Sequence, residues 1–431
     1  MAAKILEASG VLYTDRRDFY IDPQVVKELW TDVAPFTTVL SNKETRATND
    51  PIFKMFEHRN PWVKQQCTVD GDIAALADGN TLSAECAVDA IVGMNSEVDD
   101  SWLGLLFEVW DSTLTTNRGN IVVSTVESTS SFKFKNMTGS SIDVADNDIL
   151  IVVGNAHGEG TEAPEAWADE LKTVWNSCQI FKTPLEITGT LLQASLRGES
   201  SELARLRSQK NQEHKMQKEK AFLFGTRVGG TNLDPNDADT FADGGRTDSG
   251  SKLIRSCYGM VSAVNEYGNT SGDDQNVFSV TGSTYSYSDF VDDMEKVFQY
   301  IPESGVKRAF VGAGALGYWS KMAGNSGMAG SSGWTVNVGD MKRDSLGFNY
   351  RTLETPHGML QLIPTPALRG PYNGYMMIVS EENLFHAQYR SPMFQANIKT
   401  ENAYDGVKDQ YFSDEGVGIS LIESHHLFKI A

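Results

Sequence analysis

Cysteine is scarce: Cys67, Cys86, Cys178 and Cys257 are the only four in 431 residues, too few and too scattered for a disulfide scaffold. None forms a C-x-x-C pair and none has a histidine at ligand spacing, so the expectation is buried free thiols in a reducing compartment, with no metal. Basic residues are also in deficit, with 37 Lys and Arg against 57 Asp and Glu and a formal charge of −20. Phosphate binding needs clustered cations, which excludes a protein that coats nucleic acid over its whole surface. It does not exclude one that encloses nucleic acid without adhering to it. No apolar run reaches roughly 18 residues, so no membrane span is expected. MAAKILEASG lacks a basic start and an apolar core and does not read as a signal peptide. The chain is expected to fold in a cytoplasm, leaving the sequons at Asn136 and Asn269 unused.

Catalytic signatures are missing too. There is no G-x-S-x-G elbow, no HExxH and no Walker loop. The acidic stretch from Gly229 to Gly250 is no calcium loop, because Ala238 stands where a third ligand belongs. His425 and His426 are adjacent on an expected strand and so point to opposite faces, a poor shared metal site. One motif remains: VKRAFVGAGALG places Gly312, Gly314 and Gly317 between an expected strand and helix, as in dinucleotide-binding turns, with a further strand Trp334–Val338 ending near Asp340. A cytosolic NAD(P)-dependent oxidoreductase is therefore the alternative from another class. Against it, the following helix is short, a loose glycine-rich loop follows, and no second βαβ unit appears. Tight packing explains the glycines better, and no cofactor is expected.

What is present is a long polar helix. Glu199 to Gly225 holds no proline and no internal glycine before Gly225, and is dense in helix formers, with Ser200 or Ser201 to cap it. Leu203 and Leu206 open an apolar stripe that lapses until Met216, Phe222 and Leu223. A helix this polar either stands in solvent or lies along another surface. In the second case it is an outer spine against a neighbouring subunit, with Arg205, Arg207, Lys210 and Lys215 as the candidate contacts.

Around it the chain reads as α+β. Asp22 and Pro23 open a helix closed by Pro35; residues 35–59 then read as extended. From about Gly71 to Glu165 the segment is acidic and β-rich, with strands at Gly119–Val126, Ser131–Phe134 and Ile142–Val153, a small barrel or sandwich. Ala163–Ile180 fits either helix or strand. Ser288 is expected to cap a helix with Phe290, Met294 and Val297 inward. Strands follow at Met359–Ile363, Tyr375–Val379 and Gly416–Ile422.

This order, together with PFTTVLSN (Pro35–Asn42), VWNSCQIFKTPLEITGT (Val174–Thr190), EKAFLFGTR (Glu219–Arg227), SCYGMVSAV (Ser256–Val264) and SDEGVGISLIESHHLFKI (Ser413–Ile430), resembles the major capsid proteins of tailed bacteriophages, the Hong Kong 97-like fold. The resemblance implies an N-terminal arm (1–50), an extended loop (51–185) with a β-barrel-like insertion near 118–156, a peripheral domain (186–285) with its spine helix at 199–225, an axial domain (286–400) and a return strand (401–431). It also implies a protein that is not an enzyme, located in the virion and assembled in the host bacterial cytoplasm. The chain would assemble with itself as hexamers and pentamers into an icosahedral shell, enclosing double-stranded DNA without sequence-specific binding. Because the arm begins almost at Met1, a separate scaffolding protein is expected, with a portal and cement proteins as further partners. Encapsulins share the fold and are the alternative within the structural class.

Overall fold

The computed structural model describes residues 34–43, 45–58, 65–76, 79–82, 85–94, 97–166, 171–194, 201–227, 254–272, 274–281, 285–300, 305–325, 337–344, 346, 348–398 and 405–430. The expected helix at 22–34 and the acidic loop at 229–250 lie outside them, apart from Ala34. The chain divides into two compact units, one made of Met1–Phe56 with Thr173–Ala431, the other of Glu57–Lys172.

Among the described residues the second unit is built of strands, with one short 3-10 turn at Asp100–Trp102. Asn117–Ser128 pairs with both Leu105–Trp110 and Ser131–Asn136. Ser131–Asn136 also pairs with Cys86–Val92, and the pairing continues through Gln66–Asp70 and Ile149–Asn155 back to Leu105–Trp110, a closed circuit. Trp102, Phe107, Phe132 and Phe134 fill its interior, with alternate residues of each strand turned inward. The circuit reaches back to Gln66, well before the 118–156 stretch the sequence suggests. Turns at Asn136–Ser140 and Asp146–Asp148 separate its strands, with Gly139 and Asn147 at positive φ.

In the first unit Pro35–Asn42 is a helix and not extended chain. Proline suits its first turn, and Phe36, Val39 and Leu40 share one buried face. In the ambiguous stretch Lys172–Ser177 and the start of Gln179–Thr188 are strands, while residues 167–170 lie outside the described ones. The long helix runs Glu202–Phe224 and is capped by Ser201, one of the two serines expected, whose Oγ accepts from Ala204 N–H. It stops at Gly225, where a Cβ would lie 2.3 Å from the Cys257 carbonyl oxygen and 2.5 Å from that of Ala221, so no other residue fits. The helix 287–297 is capped by Ser286 with Asp289 in a capping box, two residues before the serine expected.

Two sheets organise this unit. A four-stranded sheet has the order Thr45–Ala47, Leu384–Gln395, Gly406–Ile419, Gln179–Thr188. Its strand Gly406–Ile419 begins ten residues before the expected Gly416. A seven-stranded mixed sheet has the order Val277–Val280, His426–Ile430, Tyr375–Val379, Val306–Val311, Met359–Pro364, Asn349–Glu354, Asn337–Arg343. Here Val306–Val311 runs parallel to Met359–Pro364 but antiparallel to Tyr375–Val379. The sheet is therefore not doubly wound. His426–Ile430 is an interior strand, parallel to Val277–Val280 and antiparallel to Tyr375–Val379.

Candidate functional site

The long helix lies on the four-stranded sheet of its own chain through a polar seam. Arg207, His214 and Lys218 are spaced to fall on one helix face. On the strand Gly406–Ile419, Asp409, Tyr411, Ser413 and Glu415 share one face by the two-residue period. The two sets meet in register. Arg207 pairs with Asp409 at 2.7 Å, and Tyr411 Oη donates to the Arg207 carbonyl at 3.1 Å. His214 sits between Thr183 Oγ1 (3.0 Å) and Ser413 Oγ (3.1 Å), and Lys218 pairs with Glu415 at 3.1 Å. His386 Nε2 stands 3.5 Å from the same carboxylate. On the opposite face Asp414, fully buried, is held by Arg255 and Arg390, and Arg390 stacks over Phe412.

The electrostatics follow from burial. His214 is lowered to about 4, by loss of water and then by the neighbouring Lys218 charge, so it is neutral in the seam. Burial alone would raise Glu415, but the His386 contact and the Lys218 charge outweigh it and hold it low. Glu219 is fully buried and raised by burial, against hydrogen bonds from Thr37 and Phe36. The four cysteines are free and buried; burial pushes Cys178 up to about 11 and Cys86 and Cys257 up to about 12. None is a poised nucleophile.

Of the four cations singled out on the helix, three are engaged within the chain. Arg205 pairs with Glu202, Arg207 with Asp409 and Lys210 with Glu213 at 2.7 Å. Lys215 is exposed and makes no ion pair among the described residues. Sequence reasoning missed Asp409, Glu415, His386 and Glu219. The only signal was the matching of a helix face bearing Arg207, His214 and Lys218 to a strand face bearing Asp409 and Glu415, 197 to 202 residues away.

The glycine turn holds no dinucleotide cradle. Asn373 Oδ1 accepts from Gly314 N–H (3.0 Å) and its carbonyl accepts from Ala315 N–H (3.1 Å), so the donors at the start of the helix Ala313–Asn325 are already used. A Cβ on Gly312 would lie 2.3 Å from the Asn373 carbonyl oxygen. Gly312 and Gly314 make room for this turn, not for pyrophosphate. Among the described residues no group of three or more His, Cys, Asp and Glu is placed to hold a metal, and no helix is long and apolar enough to cross a membrane.

The family model of the SU10 major capsid protein matches residues 24–417. The chain belongs to this family. It is a capsid-forming protein, and the oxidoreductase reading is not supported. The capsid of a native GTA particle is similar over 99% of this chain and 100% of that one, at 8% identity and a TM-score of 0.50, so the fold is that of a phage-type capsid protein. The holo-SrpI encapsulin complex of Synechococcus elongatus PCC 7942 matches 61% of this chain and 76% of its own at 6% identity (TM-score 0.37). Mycobacterium phage Patience matches 64% and 78% at 9% identity (TM-score 0.38). No curated protein matches the sequence.

Proposed function

We propose that this capsid protein assembles with copies of itself, as hexamers and pentamers, into a closed icosahedral shell that encloses double-stranded DNA in the head of a tailed phage. The observation that carries the reading is the family match across residues 24–417, joined to a capsid chain similar over its whole length. In this reading the four-stranded sheet with its long helix is the peripheral domain and the seven-stranded sheet the axial domain. The strand circuit is a barrel-like insertion in the extended loop, and the chain before residue 50 is the arm. Residues 57–172 hold 20 of the 57 acidic side chains but only 6 of the 37 basic ones, so most of the net negative charge belongs to that insertion. An acidic shell repels packaged DNA and leaves it free to move. Scaffolding, portal and cement proteins are the further partners, assembly takes place in the host cytoplasm, and the role is structural, without catalysis.

Lys215, Lys210 and Arg205 are the proposed intersubunit contacts along the long helix; Arg207 contributes through the seam it holds. The experiment is electron microscopy and sedimentation of the protein expressed with its scaffolding partner, beside a variant lacking residues 1–21. Closed shells from wild type and a folded deletion that fails to close them are expected. A wild type that stays monomeric or dimeric at high concentration with scaffold present rules the function out.

A further inference from the structure

The helix Pro35–Asn42 has no cap of its own: Ala34 precedes it, and no neighbouring side chain takes its first N–H groups. They are taken by Glu219, from the last turns of the long helix. Oε1 accepts from Phe36 N–H at 3.0 Å, and Oε2 accepts from Thr37 N–H at 2.7 Å and from Thr37 Oγ1 at 2.6 Å. Glu219 is fully buried and has no cationic partner among the described residues. A buried carboxylate is costly unless its oxygens are satisfied, and here three donors and the positive end of a helix dipole satisfy them. The other end of the helix is held as well. Lys43 pairs with Glu381 at 2.5 Å, and Glu381 also takes Arg308 Nη1 at 2.7 Å from the strand Val306–Val311. Between the ends Phe36 sets its edge on Phe310, ring centroids 5.1 Å apart. The cavity lined by Phe36, Val39 and Leu40 has a volume of about 10 Å³, no more than one water needs.

We propose that Pro35–Asn42 is a strut between the two sheets and that Glu219 is its positioning residue. The strut fixes where the chain enters the first unit at Ala34, which in the capsid reading is the root of the arm. Glu219 is then a determinant of shell closure more than of subunit folding. This role in closure rests on the capsid reading; the strut itself does not. Helix 202–224 carries the carboxylate and strand 306–311 the arginine that reaches Glu381, so the strut is anchored at both ends.

The test uses the full-length chain with Glu219→Ala and Glu219→Gln. Hydrogen exchange is followed by mass spectrometry in the unassembled subunit, and particles are counted by electron microscopy with scaffold present. In Glu219→Ala the peptide 34–43 should exchange at least tenfold faster while peptides over 306–311 and 375–379 keep wild-type protection. Uniform closed shells should be lost. Glu219→Gln, which keeps one acceptor oxygen, should restore part of both. Wild-type protection of 34–43 in Glu219→Ala overturns the proposal, and so does faster exchange with a normal yield of closed shells. If Glu219→Ala does not fold, Thr37→Val with Lys43→Ala loosens the same strut while leaving the buried carboxylate its two backbone N–H donors, and unchanged exchange of 34–43 there overturns it equally. Should the wild type form no shells, the capsid reading falls while the exchange result still decides the strut.

Discussion

Arg207 Nε and Nη2 both donate to one oxygen of Asp409, at 2.9 and 2.7 Å, across 202 residues of chain. Asp409 is fully buried, and its other oxygen accepts from Asn397 N–H at 2.7 Å. Removing one partner of a buried pair costs more than the pair contributes, because the survivor is left uncompensated. Arg207→Ala is therefore expected to destabilise the subunit by about 2–4 kcal/mol, trimmed from the fully buried case because the arginine is 36% exposed. Asp409→Asn should cost roughly 1 kcal/mol, since Arg207 can turn to water and Asn can still accept from Asn397. Urea denaturation of the unassembled subunit checks the order; equal losses would show that the pair does not set the seam.

Charge reversals on the long helix should separate assembly from folding. Lys210→Glu with Lys215→Glu is expected to leave the denaturation midpoint within about 0.5 kcal/mol of wild type, as exposed pairs contribute little. Particle yield should nevertheless fall. Arg207→Glu should unfold the subunit before assembly becomes measurable. Normal particles from the double reversal would place the outer face of the helix in solvent.

The glycine turn gives an opposite pair of effects. Gly312→Ala should destabilise, because its Cβ meets backbone at 2.3 Å, whereas Gly317, inside the helix with nothing within 4 Å, should gain about 0.5–1 kcal/mol as alanine. Neither change should create or remove NAD or NADP binding in calorimetry. Saturable binding by wild type would contradict the packing role given to Asn373.

His214 makes the seam sensitive to acid. Its folded value of about 4 lies below the ordinary 6.5, so between these limits the unfolded chain takes up a proton that the folded chain refuses. Stability from this group is complete above pH 6.5 and is lost as pH falls toward 4. His425, lowered to about 3, acts in the same sense. His214→Gln should make the acid limb shallower by up to about 1.4 kcal/mol per pH unit, read from denaturant midpoints between pH 6.5 and 4.5. Parallel curves would mean that His214 titrates normally.

Lys307 should act at the alkaline end. It is 1% exposed and donates to the Val297 and Ser424 carbonyls at 2.8 and 3.1 Å; burial lowers it to about 8 from 10.5. Between those values the unfolded chain holds the extra proton, so this residue adds stability as pH rises, at most roughly 3 kcal/mol. The buried thiols and tyrosines work the other way. The difference between wild type and Lys307→Met, followed from pH 8 to 10, is the measurement. A constant difference would place the ammonium in contact with water.

Local signals were legible in the sequence where the chain's own neighbours decide the structure. Ser201 and Gly225 bracket the long helix because capping and glycine stops act within a turn. Asn117–Ser128 and Ser131–Asn136 announce themselves by alternation and a tight turn. Pro35–Asn42 was not legible, because β-branched residues suggested strand while the group that caps it lies 182 residues on. The seam was hidden for a related reason. Arg207, His214 and Lys218 look like a solvated face until Asp409, Ser413 and Glu415 are set against them. The expected insertion stopped short of Gln66–Asp70 and Cys86–Val92, which pair with each other and are joined to the rest of the circuit only by strands more than forty residues away.

The interior place of His426–Ile430 sets a clock on synthesis. Both flanking strands, Val277–Val280 and Tyr375–Val379, leave the ribosome first, yet the sheet between them has a gap until residue 430 has emerged. A nascent chain therefore carries an incomplete sheet for most of its translation, and copies growing side by side on one message have no finished surface with which to associate. Emergence of the strand His426–Ile430, and not concentration alone, then determines when a subunit becomes competent to join its neighbours.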